Sequence, residues 1–240
     1  GDLDLFVGTG DGQIRFYRND GTGQAGIWRL VDSQYAGVKY AHMALPALAD
    51  SDSDGDYDLF IGGDGGGVHF FRNEGTANAP SWRLITNQYG GVTGSGALDF
   101  AFVDIDGDAD LDLFTGEHWG IVRFFRNDGT AQSAAWTPVA GEYFPFDLAG
   151  NTAPALADLD ADGDLDLLLG QVHGAIHYFR NDGTRQNPNW KTLGPQVTLP
   201  AGNHRHAYPA LVDIDGDGDL DLIVGNGTWD TSERGGNLYF

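Results

Sequence analysis

Apolar positions in this chain come in short bursts separated by glycine, aspartate and asparagine, and no window sustains a helical period. Each burst holds a fixed place in a cycle. An apolar stretch such as ALPALAD (Ala44 to Asp50) or TAPALAD (Thr152 to Asp158) enters an acidic loop. The loop leads into LFIG or LLLG, too short for a helix and suited to a strand buried on both faces. A glycine turn then opens a β-rich run, IRFYRN, VHFFRN, VRFFRN or IHYFRN, closed by NDG or NEG and a Thr, which is a hairpin signal. A fourth run carries a Trp, in IWRLV, SWRLI, AWTPV and NWKTL, before a variable connection returns to the next apolar stretch. The cycle predicts four short strands per unit.

The closing glycines Gly8, Gly62, Gly116, Gly170 and Gly225 stand 54, 54, 54 and 55 residues apart, and Trp28, Trp82, Trp136 and Trp190 keep the 54-residue period. Repeats of this length with four strands each predict an all-β fold, a β-propeller of four-stranded antiparallel blades. The reading is a single domain over 1–240, with repeats at about 1–43 (partial), 44–97, 98–151, 152–206 and 207–240 (partial). The first unit begins at its second strand and the last stops after its third, so the start reads as processed or excised. Three outcomes stay open: a five-bladed ring with incomplete edge blades, a piece of a larger propeller, or open ends that pair with another chain. The periodic Trp residues are expected in the core.

The acidic loops carry the clearest chemistry. DSDSDGDYD places Asp50, Asp52, Asp54, Asp56 and Asp58 at positions one, three, five, seven and nine, with Gly55 at six. The same pattern gives Asp104, Asp106, Asp108, Asp110 and Asp112, then Asp158, Asp160, Asp162, Asp164 and Asp166, then Asp213, Asp215, Asp217, Asp219 and Asp221. A hard cation such as calcium takes six to eight oxygens, and alternate residues of a tight loop aim carboxylates at one centre. Position seven is expected to lend its carbonyl and turn its side chain to solvent, and position nine to close the shell. Glycine at six permits the turn, so Ala109 in the second loop predicts strain. About four Ca2+ sites follow, with none complete in the first unit, where only Asp4 survives. Crowded carboxylates repel one another, so calcium binding and folding should be coupled. Calcium-rich surroundings favour an extracellular location.

Charge narrows the partners. With 35 Asp and Glu against 13 Lys and Arg, the net charge is -22, which argues against nucleic acid and anionic membrane surfaces. No apolar run is long enough for a membrane-spanning helix, and the absence of Cys excludes disulfides and thiolate chemistry.

The DxDxDGDxDL loop, short strand, glycine turn and FFRNDGT together resemble the FG-GAP or VCBS repeat over essentially the whole chain. The resemblance implies a secreted or cell-surface propeller with structural calcium, in a family that includes the integrin α propeller, some fungal lectins, and modules of bacterial secreted proteins and polysaccharide lyases.

Recognition is expected on the face opposite the calcium loops, where the repeats differ most. Turn and connection residues there include His118, Trp119, His173, His204, His206, Tyr208 and Trp229. Aromatic faces beside polar donors suit sugar stacking. There is no GxSxG elbow, no HExxH and no P-loop, and carboxylates committed to calcium cannot serve as acids. The expected function is therefore non-enzymatic: a lectin-like binding or adhesion module for a glycan or a cell-surface or matrix protein. A structural or assembly segment of a larger surface protein, self-associating through its incomplete edge blades, is the alternative, as is an accessory domain of a polysaccharide-degrading enzyme.

Overall fold

A computed structural model describes residues 3–40, 42–94, 96–139, 148, 150–199, 205–228 and 238–239. Among them the chain forms strands and two single-turn 3-10 segments, with no α-helix. The fold is the all-β propeller that the period predicts, built of antiparallel sheets in which consecutive strands are neighbours.

The first sheet holds β1 (Leu5–Gly8), β2 (Ile14–Asn19) and β3 (Trp28–Asp32). The second holds β4 (Ala44–Ala49), β5 (Asp58–Gly63), β6 (His69–Asn73) and β7 (Trp82–Thr86). The third holds β8 (Leu98–Val103), β9 (Asp112–Glu117), β10 (Val122–Asn127) and β11 (Trp136–Pro138). The fourth holds β12 (Ala153–Ala157), β13 (Asp166–Gly170), β14 (Ala175–Asn181) and β15 (Trp190–Thr198). The last holds β16 (Arg205–Val212), β17 (Asp221–Thr228) and β18 (Leu238–Tyr239).

Two compact units arise, residues 1–98 with 213–220 and residues 99–212 with 221–240. In the first, Ile14, Val38, Tyr40, Ala44, Leu59 and Ile61 form the core, and Phe60 stacks on Phe70 at 4.8 Å. In the second, Phe114 stacks on Phe124 at 4.7 Å beside Ile105, and Leu167, Leu169 and Phe179 form a further cluster.

Second strands are the centre of the packing. Every residue of β5, β9 and β13 is buried, because each lies between two strands of its own sheet and under side chains on both faces. The closing glycine of these strands lets the next repeat's first strand lie directly on it: a Cβ on Gly116 would sit 2.1 Å from the Thr152 carbonyl oxygen, and on Gly170 2.2 Å from that of Ala207. By contrast β1, an edge strand, is only half-buried along its length.

The periodic Trp residues lie at the margin of the core, not inside it. Trp28, Trp82, Trp136 and Trp190 each open a fourth strand, paired with Asn19, Asn73, Asn127 and Asn181, and all are half-buried. An outer edge strand has neighbours on one side only, so its large side chain covers the core without being enclosed. Trp82 meets Tyr35 edge-on at 6.1 Å, and Trp136 meets Phe102 at 6.3 Å.

Strand direction fixes the two ends of each blade. The acidic loop joins first to second strand and shares its end with the turn between third and fourth. The second-to-third turn and the connection between repeats lie at the opposite end.

Candidate functional site

Each acidic loop is wound around its first carboxylate. Asp104 accepts hydrogen bonds from the N–H groups of Gly107 (2.7 Å), Asp108 (3.1 Å) and Ala109 (3.2 Å). Asp158 accepts from Asp162 (3.1 Å) and Gly163 (3.0 Å), and Asp50 from Asp54 and Gly55, both at 3.2 Å. In the last loop Asp213 accepts from Gly216 (2.7 Å), Asp217 and Gly218, both at 3.1 Å. Winding this tight needs left-handed backbone at two positions. Position six has φ of 94° at Gly55, 74° at Ala109, 95° at Gly163 and 96° at Gly218. Position four has φ of 57° at Ser53, 82° at Gly107, 62° at Ala161 and 75° at Gly216. Ala109 thus carries the strain its sequence position predicts, and Ser53 and Ala161 carry the same strain unpredicted, at about 1–2 kcal/mol for an L-residue.

The winding brings positions one, three and five together. Asp50, Asp52 and Asp54 offer oxygens within 4.8 Å of one another, as do Asp104, Asp106 and Asp108, and Asp158, Asp160 and Asp162. Position nine anchors the end of the loop. Asp58, Asp112 and Asp166 are buried, and one oxygen of each accepts the N–H of Asn73 (2.9 Å), Asn127 (2.8 Å) or Asn181 (2.8 Å). The other oxygen reaches back to position two: it accepts from Ile105 N at 3.3 Å, Leu159 N at 3.2 Å, or the Ser51 hydroxyl. Asp4 accepts from Asn19 N at 2.9 Å in the same way, so the first repeat keeps this half of the arrangement. In the last repeat Asp221 opens β17 opposite Val212.

Those asparagines do more. The side-chain oxygen of Asn73 accepts the N–H groups of Gly75 (3.0 Å) and Ser81 (2.9 Å), closing both sides of the hairpin turn. Asn19, Asn127 and Asn181 make the same two bonds in their own repeats. The turns also reach neighbouring loops. Gln186 donates to the Asp106 carbonyl at 2.5 Å, and Gly23 lies against Ile214 and Asp215.

Charge in the loops is only partly answered by protein cations. Arg18, Arg126 and Arg180, the repeated Arg of the third strand, pair with Asp20, Asp128 and Asp182 in their own turns. Arg72 reaches Asp52 at 3.5 Å, and Arg180 lies 3.9 Å from Asp160. Burial, reinforced by neighbouring carboxylates, raises Asp56, Asp106, Asp110 and Asp160 above the usual carboxylate range, and pushes Asp112 up to about 7. Position seven is exposed as expected at Asp219 but not in the second and third repeats: Asp110 is buried, and Oδ1 of Asp56 and of Asp110 is shielded without a hydrogen-bond partner. Asp106 Oδ1 is in the same state. Shielded, unpartnered carboxylate oxygens beside a triad of converging carboxylates are chemically suited to a hard metal ion.

A family model for the FG-GAP-like repeat matches residues 1–61, 50–115, 104–169 and 158–224, and one for the FG-GAP repeat matches 209–240. The chain belongs to the FG-GAP repeat family. No curated protein matches it significantly.

At the other end of the FG-GAP blades, the structure pairs some of the predicted ligand residues and separates others. Trp119 is exposed, with 68% of its surface accessible, and its ring meets that of His118 edge-on at 4.7 Å. His118 Nδ1 lies 2.5 Å from Asn151 Oδ1, which fixes the imidazole. Beneath them Glu117, buried, pairs with Arg123 at 2.5 Å. His206 is buried next to Tyr208, with ring centres 6.4 Å apart, and His173 stands exposed in its own turn with φ of 67°. His204 and Trp229 lie outside the described residues. Asn151, Glu117 and Arg123 were not singled out from sequence, because polar residues in variable turns carry no periodic signal. The amide nitrogen of Asn151 is shielded and has no partner.

Proposed function

We propose that this FG-GAP propeller is a non-enzymatic, calcium-stabilised extracellular module that binds glycan at the blade ends opposite the acidic loops. Calcium would be held by the loop carboxylates, with positions one, three and five converging in the loops that begin at Asp50, Asp104 and Asp158 and position nine closing the shell, and its role there is structural: it neutralises carboxylates that otherwise repel. The observation that carries the binding reading is the exposed Trp119 ring, braced by His118 and Asn151 in a turn remote from the metal loops. A rigid aromatic face beside an imidazole and an amide suits the apolar face and hydroxyl edge of a pyranose. The test is a glycan array in millimolar calcium and again in chelator. Selective binding lost in Trp119→Ala supports the reading; a blank array, or binding unaffected by that substitution, refutes it.

Assembly is a second reading, favoured by one observation. Among the described residues β1 has a strand neighbour on one side only and is half-buried where β5, β9 and β13 are buried throughout, an arrangement to which a strand from elsewhere in a longer chain or from a second chain could add. A molar mass that rises with protein concentration in calcium, without glycan, would favour assembly over glycan binding.

A further inference from the structure

The second repeat differs from the others at the end opposite the acidic loops, and the difference is a loss of side chains. Three residues after the closing glycine stand Asp11, Trp119 and His173 in the first, third and fourth repeats, but Gly65 in the second. Five residues after it stand Gln13, Ile121 and Ala175, but Gly67 in the second. The residue of the following connection that docks on the turn is Tyr40 in the first repeat, donating its N–H to Gly12 O at 2.7 Å, and Leu199 in the fourth, donating to Gly174 O at 2.9 Å. In the second repeat that residue is Gly94, donating to Gly66 O at 2.7 Å. Three side chains are therefore missing at one place.

They leave a hollow of about 330 Å³, lined by those glycines together with Tyr40, His69, Asn87, Gln88 and Thr93. Its walls are set. Tyr40 is buried, donates its hydroxyl to Gly67 O at 3.2 Å, and packs its ring against that of His69 at 4.7 Å. A Cβ on Gly65 would stand 2.5 Å from the Tyr40 hydroxyl, and one on Gly66 2.3 Å from the Gly94 carbonyl oxygen, so a side chain at either position would collide with the wall. Oδ1 of Asp64, the residue preceding Gly65, is shielded and unpartnered.

The chemistry of the lining selects a ligand class. Asn87 and Gln88 amides and the Thr93 hydroxyl each donate and accept, as vicinal hydroxyls require. The net charge of -22 repels anions. Burial pushes the His69 imidazole below its usual range. The volume lies at the lower end of the roughly 300–1,000 Å³ range of small-molecule sites.

We propose that this glycine-walled hollow is a binding site for a single uncharged pyranose ring, distinct from the Trp119 turn. The inference rests on the carbohydrate reading above but uses none of its residues. The test is ligand-observed NMR on the full chain in calcium, with the methyl glycosides of glucose, galactose, mannose and N-acetylglucosamine, and ethylammonium as a cationic probe. One glycoside should bind with a dissociation constant on the order of 1 mM. Gly94→Leu, which restores the type of side chain found in the fourth repeat, should weaken it at least ~10-fold. Asn87→Ala and Gln88→Ala, both at exposed positions, should weaken it without touching the fold. Binding abolished by Trp119→Ala but indifferent to these three substitutions overturns the hollow and leaves the glycan reading standing. No glycoside binding overturns both, and preference for ethylammonium overturns the uncharged class.

Discussion

Ala109 offers the sharpest test of the loop geometry. It occupies position six of its loop with φ of 74°, where the other loops have Gly55, Gly163 and Gly218. Holding an L-residue left-handed costs about 1–2 kcal/mol, which Ala109→Gly removes. The substitution also frees the unfolded chain, at a cost of roughly 0.5–1 kcal/mol. The balance is a gain of about 0.5–1 kcal/mol, or ~1–4 °C in Tm for a chain of this size. The assay is thermal unfolding in saturating calcium, followed by circular dichroism, with Gly163→Ala as the reciprocal change. Gly163 has φ of 95° and open space where its Cβ would go, so that substitution tests backbone strain without steric conflict and should lower Tm by a similar amount. A fall in Tm for Ala109→Gly, or no loss for Gly163→Ala, would refute the claim that left-handed backbone at position six is what these loops require.

Chelation should lower Tm steeply: a site of ~10 μM dissociation constant in ~1 mM calcium contributes about 2.7 kcal/mol. A melting curve unchanged in excess chelator would end the calcium assignment. Asp99, on β8, is pushed up to about 7 by burial. Its folded pKa lies above the unfolded value of about 3.9, so its stabilising contribution is complete below about pH 4 and is lost as pH rises to about 7. Asp99→Leu, which places there the residue of the second repeat, Leu45, should therefore gain up to about 4 kcal/mol relative to the parent between pH 4 and pH 8. Urea unfolding at several pH values measures this, and parallel pH profiles for the two proteins would contradict it.

Period, strand order and the positions of the loop aspartates were legible because each is a repeated chemical demand. The left-handed residue at position four was not, since Gly107 and Gly216 announce it but Ser53 and Ala161 conceal it. Position nine reads as the residue that closes the calcium shell, and its carboxylate also accepts a backbone N–H, a second role visible only once Asn73 and its equivalents are placed opposite it. The trio of Trp119, His118 and Asn151 is partly legible: Trp119 stands outside the periodic Trp positions, but Asn151 comes from a connection 33 residues away from His118. The hollow beside Tyr40 had no signal of its own, since it is made of side chains that are not there.

The asparagine that ends each third strand has a consequence for how such proteins change over time. Its partners lie 2, 8 and 15 residues away, so acidic loop, second strand and hairpin are tied by bonds internal to one repeat. A segment of that kind can be copied, removed or transplanted by duplication or recombination without rebuilding its acidic loop. The opposite end of the blade carries no such ties in common among the repeats, so an array built this way can lengthen or shorten while the ends of its copies stay different from one another.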